Sequence, residues 1–449
     1  MSHAGSTRRQ FLGRTLGLAA AGAAVENTAA AAETAGTGKT PAPADLASVP
    51  VRRPFVYAPP KKKPPKRRAL GANDRIRCGF IGVGSRGSSL LESTLKLDGV
   101  DVVAVCDTYQ VWRDRARTWC QEKVEKVGAY ERFEKMLDKE PLDAVVIATP
   151  DHIHPAAIFA ALDHGLDVYT EKPMTLSWQV AQQIRQRVRD TGAVLQVGTQ
   201  LRSMPMYQRA RALYQSGELG ELVLVQVNRH SKSNRLQEMQ TPVEASEKNV
   251  RWDLFLAHTA EYGFDPLRYF HWRQFIEYSN GYFGDLMLHH LDICHFLTGT
   301  GMPARIKGTG GIYHFDDGRS CPDTVSALVE YPDTGFHFNY TTTACNGHYG
   351  LVERYLFSNG TLEMRDMTEM SIYRGESEEV VPSEGIKNGP HLENFFACMR
   401  SRATPIAPVE AGVMGAACTE LAMASMLTGD AVAWEQDSAT AHWAAARQS

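Results

Sequence analysis

Two short stretches concentrate residues suited to moving protons at an alcohol carbon. In Gly284–Leu297, "GDLMLHHLDICHFL", a helix would put Asp285, His289 and Asp292 on one face, since positions three and four apart are neighbours. His289 suits a base that takes a proton from a hydroxyl, and Asp285 would either orient and charge-stabilise it or contact the substrate. His290 and His295 point elsewhere and are expected as core or helix-surface residues. The cluster lacks a His-x-x-x-His face, so no metal is expected. In "TEKPMT", Glu171-Lys172-Pro173 ends an apolar strand-like run, where a lysine can stabilise a developing alkoxide; alone, the tripeptide reads as a surface turn.

A third stretch supplies a partner for such chemistry. Gly82-Val83-Gly84-Ser85-Arg86-Gly87 fits Gly-x-Gly-x-x-Gly between a strand-like and a helix-like segment. The first glycine permits a tight turn, the second a close backbone approach to a pyrophosphate, and the third close helix–strand packing. Backbone N–H groups at the helix start, including those near Ser85 and Arg86, would face the phosphates. Asp107 ends the next strand, where a carboxylate would hold ribose hydroxyls and disfavour a 2′-phosphate. NAD is therefore expected, with NADP as the alternative if Arg86 and Arg113 offset that repulsion.

These residues need a scaffold, and the pattern from Arg75 to Gln200 provides one. Apolar runs such as "RIRCGFIGVG", "DVVAVCD", "AVVIATP", "DVYTEKP" and "AVLQVGTQ" alternate with amphipathic stretches. Such alternation predicts a parallel sheet covered on both faces, the doubly wound dinucleotide-binding arrangement. After Gln200 the alternation gives way to strand-like runs joined by short turns, predicting a mostly antiparallel sheet with helices near Asp285–Leu297 and Leu392–Thr428. The fold class is α/β: a Rossmann domain at 74–200, then an α/β domain with an open, mostly antiparallel sheet at 201–449. Trp252, Arg268, Trp272, Arg273 and Tyr282 would suit a sugar pocket but read first as core.

The chain begins with a different kind of segment. "STRRQFLGRTLGLAAAGAA", Ser6 to Ala24, joins a cationic start to a short apolar run and small residues. It reads as a signal peptide over 1–32, and Arg8-Arg9 resembles the twin-arginine export signal. A periplasmic or secreted destination and contact with the twin-arginine export machinery follow; an ordinary export signal is the alternative. Residues 33–73 read as a Pro- and Lys-rich linker or arm. Within it "PPKKKPPKRR" is expected to be extended and solvated, and "VPVRRPFVY" (Val49–Tyr57) either docks or remains a disordered tether. A net charge of −3 argues against nucleic-acid binding. The eight cysteines form no Cys-x-x-Cys pair, so neither a zinc site nor a disulfide framework is indicated. No stable membrane anchor is expected beyond the leader.

Together the glycine fingerprint, "VCD", "ATPDHIHPAAIFAALDHGLDVYTEKPMT", "VGTQLRSMPMYQRARALYQSGELGEL" and "GDLMLHHLD" resemble the Gfo/Idh/MocA oxidoreductases, from Ile76 to at least Thr300. The resemblance implies an NAD(P)-dependent oxidoreductase acting on a carbohydrate or polyol, in a homo-oligomer. By motif position it makes Lys172, Asp285 and His289 catalytic. It also puts Thr149, Pro150, His152 and His154 in the nucleotide-contacting segment, with Glu171 and Gln200 nearby. Leu286 and Met287 stand where many exported relatives carry Trp and Gly, which bears on pocket shape. Rival readings are a glycosidase, lyase or epimerase that oxidises its sugar transiently, and a sugar-binding protein that has lost the redox chemistry.

Overall fold

A computed structural model describes residues 55–60, 64–71, 73–232, 241–382, 387 and 389–434. The leader, and the part of the arm before Phe55, lie outside the described residues.

The first sheet is built from strands β1 (Ile76–Ile81), β2 (Val100–Cys106), β3 (Gly128–Tyr130), β4 (Ala144–Ile147), β5 (Asp167–Thr170) and β6 (Leu195–Val197). Their order is β3-β2-β1-β4-β5-β6, and every pairing is parallel. Parallel strands need crossovers, and helices α1 (Ser85–Leu95), α2 (Gln110–Gln121), α3 (Phe133–Lys139), α4 (His154–Asp163) and α5 (Trp178–Thr191) supply them. Because both faces are covered, β4 and β5 are buried at every position. The order reverses between β1 and β4, which opens a crevice at the carboxyl ends of the strands, where ligands of such sheets bind.

After helix α6 (Pro205–Ser216) the chain forms a second sheet. Its strands are β7 (Leu222–His230), β8 (Arg305–Gly311), β9 (Thr324–Tyr331), β10 (Phe336–Thr343), β11 (Leu351–Phe357), β12 (Thr361–Arg365), β13 (Glu369–Arg374), β14 (Ser377–Pro382) and β15 (Val432–Ala433). The order is β14-β13-β12-β11-β7-β10-β9-β8-β15, antiparallel except for the β7–β10 pair. The expected Rossmann domain and mostly antiparallel partner are both present.

Two local differences from expectation have physical causes. The region Leu392–Thr428 is two helices, Gly389–Ser401 and Val409–Thr428, because Pro405 and Pro408 interrupt the helical run. The first helix returns to the Rossmann core, burying Leu392, Phe395 and Phe396 with Ile76 and Phe80. The second is long and apolar enough to cross a membrane, which no segment beyond the leader was expected to be. It is instead a core helix, 78% buried over its apolar window. Small residues all round it (Gly412, Gly415, Ala416, Ala417, Ala422) let neighbours approach on every side.

The described part of the arm docks. Tyr57 stacks on Phe159 of α4 at 3.7 Å and its hydroxyl donates to Asp163 at 2.8 Å. The end of the basic run is pinned and not freely solvated: Arg67 lies 3.2 Å from Asp167, and Arg68 makes a two-pronged contact with Asp143.

Candidate active site

The glycine turn has the conformation that its sequence requires. Gly82 has φ +84°, and a side chain there would meet the Ala148 carbonyl at 2.7 Å. A Cβ on Gly87 would stand 2.0 Å from the Gly82 carbonyl oxygen, so only glycine lets α1 start this close to β1. Beside the turn lies a cleft of about 430 Å³ lined by Gly82, Gly84, Ser85, Arg86, Asp107, Thr149 and Pro150, among others. A turn whose glycine positions admit no side chain, a helix start and an apolar-walled cleft fit a nicotinamide dinucleotide.

Asp107 lines the cleft and also has a structural part. Its Oδ2 accepts from the backbone N–H of Val83 at 2.7 Å and its Oδ1 from that of Tyr109 at 2.8 Å, so it ties the glycine turn to the end of β2. Burial pushes its pKa up, against the pull of those two amides. Of the two arginines expected to offset Asp107, Arg86 donates its Nε to Glu171 at 2.8 Å, whereas Arg113 donates to the Asp107 carbonyl at 3.1 Å and pulls on its carboxylate. Gln200 donates to the same Glu171 oxygen at 2.8 Å.

The remaining predicted nucleotide contacts brace the site from outside the cleft lining. His154 spans two carbonyls, Nδ1 at 2.8 Å from Pro173 and Nε2 at 2.9 Å from Thr149, and thereby couples the segment after β4 to the segment after β5. His152 Nε2 lies 2.7 Å from the Phe255 carbonyl.

The catalytic candidates meet where the end of β5 approaches the helical segment Phe283–Thr298. Lys172 follows β5, and its Nζ donates to the Asp285 carbonyl at 2.6 Å and to the Asp285 carboxylate at 3.0 Å. Asp285 lies on a π-helical turn, Phe283–Met287, that leads into helix Leu288–Thr298. Such turns recur at functional sites and break the 3.6-residue phase. The expected three-residue face is therefore not formed. Asp285 turns to Lys172 and to Arg273, whose Nε is 3.4 Å from Oδ1, while Asp292 makes a buried two-pronged ion pair with Arg202 at 2.7 and 2.8 Å. Asp285 acts on His289 by charge.

Burial, Lys172 and Arg229 push the His289 pKa well below 6.5, with Asp285 opposing, so the ring is neutral at physiological pH. A neutral imidazole near a lysine ammonium can take a proton while the ammonium steadies the oxygen left behind. His290 is fully buried, with Nδ1 3.1 Å from Glu353 and Nε2 3.2 Å from Arg229, and so is a core residue.

Sequence reasoning passed over Asp151. It sits between Pro150 and His152, 4% exposed, and burial pushes its pKa up to about 7 against the pull of Arg273 and Lys172. An acidic residue in the turn after β4, at the ligand-binding edge of the sheet, was the available signal. Of the residues set aside as core, Trp252 and Trp272 are indeed buried among aromatic rings, and Trp272 and Arg273 also line the cleft. Among the described residues no group of histidines, cysteines and carboxylates is arranged to hold a metal ion.

With this geometry in hand, the chain's relatives identify its class. Residues 76–199 match the GFO_IDH_MocA oxidoreductase family with its NAD-binding Rossmann fold, and residues 253–363 match the GFO/IDH/MocA C-terminal domain. The chain belongs to the Gfo/Idh/MocA family and is an NAD-binding oxidoreductase. It is 25% identical over 347 residues to the scyllo-inositol 2-dehydrogenase (NAD(+)) of Bacillus subtilis, covering 74% of this chain and 88% of that one. It is 34% identical over 116 residues to a glycosyl hydrolase family 109 protein of Shewanella baltica, a match to 24% of this chain and 25% of the relative. Among solved structures, the WlbA dehydrogenase of Bordetella pertussis, in complex with NADH and UDP-GlcNAcA, superposes with a TM-score of 0.63 at 18% identity. That alignment covers 81% of this chain and 100% of the other.

Proposed function

We propose that the protein is an exported dehydrogenase of sugars, cyclitols or their derivatives that works with a retained NAD. The observation that carries the chemistry is the Lys172–Asp285 pair beside neutral His289 at the carboxyl edge of a dinucleotide-binding sheet. Bound NAD would supply the hydride acceptor. The chain's own part is to hold the substrate hydroxyl between Lys172 and His289, to pass its proton to the His289 ring, and to stabilise the oxygen through the Lys172 ammonium. Asp285 aims that ammonium through two hydrogen bonds.

Retention of the cofactor is supported by a clasp over its adenosine end. Directly after Asp107, the Thr108 hydroxyl lies 2.6 Å from that of Tyr269, and Tyr109 pairs with Val250 in an antiparallel bridge. The Gln110 N–H donates to the Asn249 carbonyl at 2.9 Å and the Arg251 N–H to that of Thr108 at 2.9 Å. Leu254, Phe255, Tyr269 and Phe270 from the same region line the cleft opposite the glycine turn. Such contacts would slow the departure of a bound dinucleotide. A protein carried out folded around its cofactor needs that property, which agrees with the Arg8-Arg9 leader.

The test is to denature export-processed protein and quantify released dinucleotide, then to add sugars and cyclitols to intact protein and follow reduction of the bound nicotinamide. Close to one dinucleotide per chain, reduced by a polyol, is expected. Protein recovered empty, and active only with abundant added cofactor, would refute retention. The short match to a glycosyl hydrolase family 109 protein favours, as a second reading, a transiently oxidised sugar; turnover with no net change in the cofactor would support it.

A further inference from the structure

Arg273 stands where two cavities meet. It lines the cleft beside the glycine turn, and it also lines a smaller pocket with Tyr282, Asp285 and Cys321; among the described residues no other borders both. Its Nε approaches the same Asp285 oxygen that receives the Lys172 ammonium, so two cations share one carboxylate oxygen. The guanidinium lies over the Trp272 ring, 4.2 Å from its centroid, and the side chain keeps 35% of its exposure. Its terminal nitrogens meet no hydrogen-bond acceptor among the described residues.

A guanidinium offers five N–H donors in a planar fork. The side chain is part-exposed here, and its Nε is the atom that approaches the Asp285 carboxylate. A bidentate oxyanion is the ligand whose geometry matches the terminal pair. The surrounding charge points the same way. Asp151, whose carboxyl titrates near neutrality, offsets the Lys172 and Arg273 charges only in part. Arg229 adds positive potential at His289.

We infer that Arg273 receives an anionic substituent of the substrate, a carboxylate or a phosphate on the carbon chain that presents its hydroxyl to Lys172 and His289, so that acidic sugars are the favoured class. The inference rests on the dehydrogenase reading for where the reacting hydroxyl lies, and makes Arg273 a positioning residue for the group beside it. A neutral polyol would leave the two terminal nitrogens without a charged partner.

The experiment titrates purified, cofactor-loaded protein calorimetrically with three sets: the uronates, the 6-phosphates and the parent aldoses of glucose, galactose and mannose. Reduction of the cofactor is followed in parallel. At least one acid is expected to bind about 10- to 100-fold more tightly than its parent aldose, the range for a charge-assisted fork. The uronate and phosphate arms tell which oxyanion is preferred. R273Q should weaken the acid at least ten-fold more than the aldose, and R273K should restore part of the difference, with cofactor content confirming that each variant is folded. Equal affinities for acid and aldose, no binding by any acid, or equal losses on both in R273Q would overturn the inference. Arg273-dependent acid binding without cofactor reduction would sustain it and sink the dehydrogenase reading; reduction by neutral sugars alone would do the reverse.

Discussion

The Lys172 ammonium, at the end of β5, is held by Asp285 on the π-helical turn: it donates to both the backbone carbonyl and the carboxylate, at 2.6 and 3.0 Å. A lysine anchored at two points of a π-helical turn cannot swing away from the substrate side. Lys172→Met should therefore lower turnover by about 10²–10³, the range seen when one preorganised donor is removed, while cofactor content stays near that of the wild type. Single-turnover reduction of bound cofactor measures this. A loss of cofactor in parallel with rate would show that Lys172 serves binding and not the chemical step.

The adjacent histidines should separate cleanly. His289→Ala should cost about 10²–10⁴ in turnover with little change in melting temperature, as expected for loss of a positioned base. His290→Ala should instead act on stability, by about 1–3 kcal/mol, because buried Glu353 and Arg229 lose the ring between them. The rate profile carries a further mark. With the His289 pKa held well below 6.5, protonation of this ring should cut oxidation only on the acid side of that value. Equal rate losses in both variants would remove the distinction.

Asp151 predicts a stability that depends on pH. Its folded pKa, about 7, is above the ordinary value of 3.8, so the folded state holds the proton more tightly than the unfolded chain does. That contribution is fully present below about pH 4 and is lost as pH rises through 7. Asp151→Asn, which keeps a neutral side chain of the same shape, should gain melting temperature relative to the wild type as pH goes from about 5 to 8. A difference between the two proteins that stays flat over that interval would show that the carboxyl is not forced to ionise in place.

Asp107 should prove structural as well as selective. Asp107→Ala leaves the Val83 and Tyr109 amides without their acceptor, a cost of about 1–3 kcal/mol for each buried donor. Expected outcomes are a lower melting temperature, weaker NAD binding and a smaller preference for NAD over NADP, read from dissociation constants for both nucleotides. NADP preference in the unaltered protein would overturn the assigned role.

The local signals in the sequence were strong because their causes are local. Gly82 and Gly87 are demanded by a positive φ and by a 2.0 Å approach, and such requirements leave glycine wherever they occur. Continuous apolar runs in β4 and β5 follow from burial on both faces, so the parallel sheet was readable without coordinates, as were Lys172, Asp285 and His289 as chemical groups. The family relationship rested on the same stretches. What the sequence by itself could not determine is who meets whom across long separations. An α-helical phase through Asp285 grouped it with Asp292, but the π-helical turn turns one to Lys172 and leaves the other to Arg202. Arg86 faces Glu171, eighty-five positions away, and Tyr269 reaches Thr108 from the other domain. Arg273 reads as one more arginine in an aromatic stretch until the fold brings it to the oxygen that holds Lys172. Hydrophobic periodicity is written residue by residue and survives in one dimension; the direction of a long charged side chain is set by partners that only the folded chain brings near.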